Sequence, residues 1–481
     1  ASDPRSSYEG TTVSPQGQEE TRHADPTQPY STAIAPVTIP GDSTTPAQGT
    51  SGAESASAYP GPPRTIDRTK DGFLNLLSQV EDLFHKNQVL PFDMEQMHQE
   101  ALKQYVELSG GVWEEYRDAL PSYGPEVTLI VRTDSEFLNR MGELQELVEE
   151  RLHPTEEQIK QAQEGTIKAF VAASGDRYSD FLTAEEWAST QESSDGSYCG
   201  IGVQIMQDKE TMVSTVTNVF SNSPAKEAGM LTGDVFKKVD GMDVTQMPLE
   251  QIVTYVRGHE GEPVVITVYR AVSNETLEIT CVRRKVEVET VSYRMLTGTV
   301  GYLELMEFDN VTIRQVSDAV KSLIGQGMQK MILDLRGNPG GLLSSVLEVA
   351  DFFTKKGTLL FRMDYKNGET YTENAVDPPL FTGEMVVLVD GGTASAGEVL
   401  TGILQDYHLA TIMGEKTFGK GIVQSFFNVG EEDMLKLTIA HYYSPLGRDF
   451  HGVGIEPDVY GSDNVLTPED ELLEQALKSL E

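Results

Sequence analysis

The sequence is poor in cysteine, in basic residues and in long apolar runs, and each shortage excludes a class of protein. Only two cysteines, Cys199 and Cys281, occur among 481 residues. Two are too few for a disulfide framework or a zinc site, and the sequence leaves open whether they pair. Lys and Arg number 37 against 75 Asp and Glu, which gives a net charge of −38. Because nucleic-acid binding needs a basic surface, we expect no nucleic-acid partner.

Apolar residues never form an uninterrupted run of 18 or more, so the sequence predicts no membrane-spanning helix. Residues 1–66 are rich in Ser, Thr, Pro, Gly and Ala. Such a segment cannot bury enough apolar surface to offset the entropy of ordering, so we expect a disordered linker or tether. The chain starts with Ala1 rather than methionine. We therefore expect that an N-terminal segment, such as an export signal or anchor, has been removed.

Apolar residues at helical spacing predict a helical region over residues 67–195. Within it, residues 93–108 and 155–173 each begin with signals typical of a helix start. Residues 100–116 align with residues 165–181 at a constant offset of 65, aromatic with aromatic and Ser-Gly with Ser-Gly. This match indicates a duplicated helical unit, and chance similarity of two amphipathic helices is the alternative. A short apolar run at residues 127–131 predicts a strand.

Ser395 lies in a run of small residues between a strand-like segment and a helix-like segment. Residues 385–389 are apolar and β-branched, whereas residues 396–404 carry apolar side chains three and four positions apart. Small neighbours let a substrate backbone come close, and a helix N-terminus favours a developing oxyanion. The sequence therefore predicts that Ser395 is a nucleophile.

Lys420 stands between two glycines and precedes an apolar, strand-like run. On one strand, Lys420, Ile422 and Gln424 would share a face, and Gln424 would orient the ammonium group. To act as a base near neutral pH, the lysine must lower its pKa from about 10.4 to roughly 7–8, which burial achieves. A solvated lysine in a glycine turn is the alternative, because most lysines are exposed.

Three motifs in order resemble the tail-specific, or carboxyl-terminal processing, peptidases. They are Leu333-Asp-Leu-Arg-Gly-Asn-Pro-Gly-Gly341, the Ser395 turn, and Gly419-Lys420-Gly421 with Gln424. In that family the serine and the lysine form a catalytic dyad, which the glutamine supports. The separations of 25 and 4 residues match here. The resemblance covers residues 170–460, whereas residues 1–150 match poorly.

The resemblance also implies roles for backbone groups. It implies an oxyanion hole built from the N–H groups of Gly341 (or Gly340) and Ala396. It implies a PDZ domain in which the N–H groups of a glycine loop capture a peptide C-terminus. The residues of that loop are Gly200, Ile201, Gly202 and Val203.

The chain is thus expected to be an α+β multidomain protein. We expect a linker over residues 1–66, a helical N-terminal domain over 67–195, a PDZ domain over 196–285 and a protease core over 286–481. Alternating strands and helices predict an α/β core, and the resemblance implies a fold like that of ClpP and crotonase.

The family resemblance implies a serine endopeptidase that acts on protein substrates with a free C-terminus. It further implies a bacterial, extracytoplasmic homodimer with a role in signal transduction. A membrane tether through the missing N-terminal segment is a further expectation. We expect no cofactor and no metal.

Two other functions compete with this interpretation. The first is a catalytically silent scaffold that binds peptides through the PDZ domain, against which the intact Ser395 and Lys420 argue. The second is a serine–histidine hydrolase with His441 or His451 as the base. The nucleophile-elbow pattern Gly-x-Ser-x-Gly is not met, because Thr393 replaces its first glycine.

Overall fold

The computed structural model describes residues 69–117, 119, 134–208, 211–430, 432–462 and 470–481. The linker expected over residues 1–66 and the strand expected over residues 127–131 lie outside these ranges. Within the described ranges, no helix is both long enough and apolar enough to cross a membrane. The two cysteines carry free thiols.

The first described part of the chain is helical, with one short strand near its end. Its elements are α1 (Lys70–Asn87), α2 (Met94–Leu108), α3 (Trp113–Arg117), α4 (Asp134–Leu152), α5 (Glu156–Ala172), β1 (Asp180–Leu182) and α6 (Ala184–Ser194). The predicted helix starts are confirmed: the side chains of Asp93 and Thr155 cap α2 and α5. The strand β1 was not predicted, because three residues carry no periodic signal and a distant strand supplies the pairing.

The two helices of the expected duplication pack against each other, α2 on α5. The aligned residues Tyr105 and Phe170 are both fully buried. The aligned glycines that follow the helices, Gly110 and Gly175, have φ angles of +89° and +79°, a backbone conformation common after a helix end. These correspondences support the duplication, which stays a prediction.

A small β domain follows. Its elements are β2 (Ser197–Gly200), β3 (Val203–Gln207), β4 (Ser214–Val219), α7 (Pro224–Glu227), β5 (Asp234–Val239), β6 (Met242–Asp243), α8 (Leu249–Val256), β7 (Pro263–Arg270), β8 (Glu275–Val282) and β9 (Arg284–Glu287). The strand order β3-β4-β5-β7-β8 leaves β3 at an edge of the sheet. Its core, which includes Phe236, Ile252 and Val264, is a separate hydrophobic cluster.

The last part alternates strands and helices as predicted. Its elements are β10 (Val291–Met295), β11 (Val300–Leu305), α9 (Thr312–Gly325), β12 (Lys330–Asp334), α10 (Leu343–Asp351), β13 (Leu359–Tyr365), β14 (Thr370–Asn374), β15 (Glu384–Val389), α11 (Ala396–Asp406), β16 (Thr411–Gly414), β17 (Ile422–Val429), β18 (Asp433–Tyr443), β19 (Val459–Tyr460) and α12 (Glu471–Leu480).

One sheet in this part has the order β10-β11-β12-β15-β16-β19, and its strands from β11 onward pair in parallel. Because β12 and β15 are parallel neighbours, the loops that follow them meet at one edge of the sheet, where open α/β sheets bind ligands. Those loops carry the Asn-Pro-Gly-Gly motif and Ser395.

A second sheet places the helical region beside this edge. It has the order β1-β18-β13-β14, with β17 also paired to β18. The strand β1 from the helical region pairs with β18 through residues 180–182 and 434–436. Buried residues of the helices, such as Phe73 and Phe170, belong to the same hydrophobic cluster as Leu333 and Leu400 of the α/β part. The helical region therefore packs directly on the part of the chain that carries Ser395.

Candidate active site

Ser395 caps the N-terminus of α11 in a backbone conformation that is rare for a residue with a side chain. Its φ and ψ are +51° and −115°, and its side chain is almost fully buried. The turn is fixed by Thr393, whose hydroxyl donates to the Leu335 carbonyl at 2.8 Å. The strand and the helix predicted on either side of Ser395 are confirmed.

The loop after β12 lies directly against this turn. The Ala394 N–H donates to the Asn338 carbonyl at 2.9 Å, and Asn338 Nδ2 donates to the Leu305 carbonyl at 2.7 Å. A Cβ atom on Gly340 would lie 2.7 Å from Ser395 Cβ and 2.9 Å from the Ala396 nitrogen. Only glycine fits such an approach, so this position brings the loop backbone close to Ser395.

The two candidates for the oxyanion hole, Gly340 and Gly341, differ in the direction of their N–H groups. The Gly340 N–H donates to Asn338 Oδ1 at 2.8 Å, so it is already engaged. Gly341 lies opposite Phe308 in a parallel bridge. The Phe308 N–H donates to the Gly340 carbonyl, and the Leu342 N–H donates to the Phe308 carbonyl. Because the two neighbours of Gly341 make these bonds, the N–H of Gly341 itself points away from Phe308. Gly341 is therefore the better candidate of the two, next to Ala396 at the first turn of α11.

A buried carboxylate joins the Ser395 turn to the lysine loop. Glu398 is fully buried and accepts the N–H groups of Ser395 at 3.0 Å, Gly419 at 2.7 Å and Lys420 at 2.7 Å. It also accepts the Thr417 hydroxyl at 2.6 Å. The three N–H groups can only donate and so favour the ionised carboxylate, whereas burial raises its pKa. One side chain thus fixes the backbones of both proposed catalytic residues.

Lys420 is buried, which excludes the solvated-lysine alternative. Its Nζ atom lies 4.8 Å from the centre of the Tyr178 ring. Burial, followed by the charge of Lys436, lowers its pKa to about 7, while Asp176 and Glu398 oppose the shift. A substantial fraction of Lys420 is therefore the neutral amine near pH 7, as a general base requires.

The ring that covers Lys420 comes from the helical region. Asp176 holds that segment: its Oδ1 accepts the Tyr178 N–H at 2.9 Å, and its Oδ2 accepts the Ser179 hydroxyl at 2.6 Å. Gln88 of the α1 C-cap donates to the same Oδ2 at 3.0 Å. The repeat predicts an aromatic residue at position 178, but its sequence alone assigns Tyr178 no role. The available signal is that this aromatic residue lies in the copy of the repeat that falls within the family resemblance.

Gln424 lies on β17, and Lys420 lies in the loop before that strand. The strand begins at Ile422, and its register with β18 shifts between Val423 and Gln424. The extra residue of this shift lies on β18, so the alternation along β17 itself is not interrupted. The expected shared face of Lys420, Ile422 and Gln424 stays a prediction. Gln424 is buried, and its Nε2 donates to the Thr438 hydroxyl at 3.2 Å. Its support of Lys420 stays a proposal.

The two histidines of the rival mechanism lie beyond the lysine loop. The rings of His441 and His451 are 5.7 Å apart. His451 Nδ1 accepts the Gly421 N–H at 3.2 Å, so this nitrogen supports the loop backbone. Burial, followed by the charge of His441, lowers the pKa of His451. These contacts fit a structural role better than the role of a base for Ser395.

In the small β domain, the predicted loop precedes the edge strand β3. Gly202 has a φ of +76°, and a Cβ atom there would lie 2.3 Å from Ser223 Cβ, so only glycine fits. Arg257, which follows α8, pairs with Glu192 of α6 at 2.6 Å and lies 4.9 Å from the Tyr198 ring centre. It is thus a link between the β domain and α6.

Comparisons with known proteins assign two ranges of the chain to known domain families. Residues 299–460 match the model described as Peptidase family S41, and residues 215–270 match that of the PDZ domain. The chain therefore contains an S41 peptidase domain and a PDZ domain within a mixed α/β structure, which confirms the resemblance to carboxyl-terminal processing peptidases.

Relatives give the same assignment. A "Carboxy-terminal-processing protease" of Bartonella bacilliformis is 34% identical over 59% of this chain and 66% of its own length. A "Probable CtpA-like serine protease" of Staphylococcus aureus is 34% identical over 68% of this chain and 65% of its own length. The chain thus spans slightly less than two thirds of these relatives. A solved photosystem II D1 C-terminal processing protease is 24% identical, with 87% of this chain and 98% of that chain covered and a TM-score of 0.44.

Proposed function

We propose that the chain is a serine endopeptidase that binds the C-terminal tails of protein substrates through its PDZ domain. In this proposal Ser395 is the nucleophile and Lys420 is the general base. The observation that carries it is the buried lysine, whose pKa falls to about 7. The backbone of this lysine is tied by Glu398 to that of a serine at a helix N-terminus.

The reaction follows the usual course of acyl transfer by a serine–lysine pair. Neutral Lys420 takes the Ser395 proton while Oγ bonds to the scissile carbonyl carbon. The carbonyl electron pair moves to oxygen, which accepts the N–H groups of Gly341 and Ala396. The carbon–nitrogen bond then breaks, and the Lys420 ammonium protonates the leaving amine. Water, activated by the neutral lysine, hydrolyses the acyl-enzyme.

Tail recognition is supported by the open edge of β3 and the loop before it. An extended peptide adds to such an edge as a further strand, and the loop N–H groups donate to its carboxylate. The proposed contacts are those of Gly200, Ile201, Gly202 and Val203. On the other side of the groove, α8 supplies an apolar wall.

Other expectations remain predictions. They are the domain boundaries at residues 66, 195 and 285, the similarity of the core to ClpP and crotonase, the homodimer, the membrane tether, the signalling role and the extracytoplasmic location.

The competing proposal is a silent scaffold, and one assay separates the two. An unfolded protein with a free apolar C-terminus is incubated with the wild-type chain, Ser395→Ala and Lys420→Ala. We expect the wild type to cut it and both variants, folded by circular dichroism, to leave it intact. Binding of the tail without cutting by the wild type would favour the scaffold. Cutting by Lys420→Ala would return His441 and His451 to consideration.

A further inference from the structure

One carboxylate joins the two loops that carry the proposed oxyanion donors. Asp390 directly follows β15 and is partly buried. Its Oδ1 atom accepts the Gly337 N–H at 2.8 Å, from the loop after β12. The same atom accepts the N–H groups of Gly392 at 2.9 Å and Thr393 at 3.1 Å, from the turn before Ser395. Three main-chain groups from two loops thus share one oxygen atom.

The bonds of Asp390 are local on one side and distant on the other. Gly392 and Thr393 lie two and three positions after the aspartate, as in a turn that an aspartate side chain closes. Gly337 lies 53 positions before it. The side chain therefore shapes its own turn and also holds a separate loop against that turn.

The two loops approach each other closely at this point. A Cβ atom on Gly392 would lie 3.0 Å from the Gly337 Cα atom and 3.2 Å from Asp390 Oδ1. Further along the loops, the Ala394 N–H donates to the Asn338 carbonyl at 2.9 Å. The distance between the loops is thus set by the aspartate and by this main-chain bond.

Each proposed oxyanion donor lies a few residues beyond a position that Asp390 holds. Gly341 is four residues after Gly337, and Ala396 is three residues after Thr393. Both donors must reach the same developing oxyanion at about 2.7–3.1 Å. The distance between the two loops therefore decides whether the two N–H groups can act together.

We propose that Asp390 is a positioning residue for the reaction, which holds the two halves of the oxyanion hole at a fixed distance. This inference rests on the proposed serine peptidase function. Asp390 acts through the main chain of the two loops. Glu398 ties the Ser395 turn to the lysine loop, whereas Asp390 ties it to the glycine loop, so the two carboxylates divide the alignment of the site between them.

This role predicts a kinetic signature. Without the acceptor the loops separate and the donors are misaligned, so transition-state binding is lost, kcat should fall and KM should change little. A peptide aldehyde, whose adduct with Ser395 places an oxygen in the hole, should lose affinity in parallel. The pH midpoint of the rate should not move, because the bonds of Asp390 go to the two loops of the hole.

The test compares Asp390→Ala with Asp390→Asn in the full chain. Alanine removes the acceptor, whereas asparagine keeps an oxygen that accepts N–H groups and removes the charge. The matched control is Asp351→Ala, at the last residue of α10 and thus at the opposite end of that helix from Gly341. Asp351 Oδ2 also accepts two main-chain N–H groups, those of Val376 at 3.1 Å and Asp377 at 3.0 Å.

The readouts are kcat and KM on the unfolded substrate and the rate at which a small fluorophosphonate labels Ser395 across pH. We expect Asp390→Ala to lose about tenfold to a hundredfold in kcat and in labelling rate, with an unchanged pH midpoint. Asp390→Asn should recover to within about threefold of the wild type, because it keeps the acceptor. Asp351→Ala should keep the wild-type rates even if it melts at a lower temperature.

Several results would overturn the inference while the dyad stands. They are wild-type kcat in Asp390→Ala, a change in KM alone, or an equal loss in Asp390→Asn or Asp351→Ala. A shifted pH midpoint would also overturn it, since Asp390 would then act through Lys420. A wild-type chain that neither cuts nor labels would overturn the proposed function as well.

If Asp390→Ala does not fold, Asp390→Glu keeps the charge and moves the accepting oxygen by one methylene group. The value of kcat should again fall at an unchanged pH midpoint. Wild-type kcat in this variant would overturn the inference.

Discussion

The buried carboxylate of Glu398 accepts the backbone N–H of Lys420 at 2.7 Å, and its charge is one of two that raise the pKa of that lysine. The same carboxylate accepts the N–H of Ser395. A single residue therefore holds the backbones of both proposed catalytic residues and also contributes to the pKa of Lys420.

Glu398→Gln should separate these two effects. An amide NH2 group cannot accept, so donors of the Ser395 and Lys420 loops lose a partner at a cost of about 1–3 kcal/mol in stability. We expect the rate at which a small fluorophosphonate labels Ser395 to fall about tenfold or more. Because a negative charge that raises the pKa of Lys420 is lost, the acid limb, which is the rise of the labelling rate on the acid side of its pH profile, should move to lower pH. An acid limb that moves upward would contradict this electrostatic account.

The pKa of Lys420 also predicts how stability depends on pH. The unfolded lysine binds a proton up to about pH 10.4, whereas the folded one loses it near 7. Between these values the unfolded state binds more protons, so the wild type should gain stability as the pH rises through this window. Below pH 7 it carries the full cost of a buried charge.

Lys420→Met removes that cost. We expect the variant to melt at a higher temperature than the wild type at pH 6, with the difference shrinking as the pH approaches 10. The measurement is thermal unfolding by circular dichroism at several pH values. A difference in melting temperature that stays constant across this range would show that Lys420 does not titrate there.

The ring of Tyr178, which lies over the Nζ atom of Lys420, should also influence the pKa of this lysine. Tyr178 lies 4.8 Å from Nζ, and a ring face attracts the ammonium form by about 1 kcal/mol. Tyr178→Leu should therefore move the acid-side midpoint of the labelling rate to a lower pH by somewhat less than one unit, because one pKa unit corresponds to about 1.4 kcal/mol. Tyr178→Phe, which keeps the ring, is the control. If the acid-side midpoint were the same in Tyr178→Leu and Tyr178→Phe, the ring contact would be excluded as an influence on the pKa of Lys420.

The strand and the helix around Ser395 and the glycine loops can be predicted from the sequence because each follows from local pattern. Ser395 falls between a continuous apolar run and a segment with helical spacing, and glycines mark the tight approaches at residues 340 and 202. The roles of Glu398 and Tyr178 were missed, because their partners lie 22 and 242 positions away along the chain. The strand β1 is formed by pairing with the distant strand β18, so no pattern within residues 180–182 predicts it.

The arrangement of Lys420 with Gln424 is only partly a matter of local pattern. Alternation along an ideal strand places both on one face, and β17 starts two residues after the lysine. The register shift before the glutamine adds a residue on β18, which no pattern within β17 can show. The support of Lys420 by Gln424 stays an expectation of the family resemblance.

Tail recognition makes a prediction about the peptide C-terminus. A peptide with a free carboxylate should bind the full chain carrying Ser395→Ala about tenfold or more tightly than its C-terminal amide, because the loop N–H groups favour a charged acceptor. Gly202→Val should weaken binding of the free peptide, since even a Cβ atom would lie 2.3 Å from Ser223 Cβ. Fluorescence anisotropy measures both. Equal affinity for acid and amide would contradict carboxylate capture by the loop.

The most direct test of the dyad is the rate at which a fluorophosphonate labels Ser395, measured from pH 5 to 9 in the wild type and in Lys420→Ala. The probe is small and reads the nucleophile without involving the PDZ domain. We predict that the wild-type rate rises through a midpoint near pH 7, following the lowered pKa of Lys420. Lys420→Ala should label at least about a hundredfold more slowly, with no such midpoint. A Lys420→Ala variant that labels at the wild-type rate with the same midpoint would show that another group is the base.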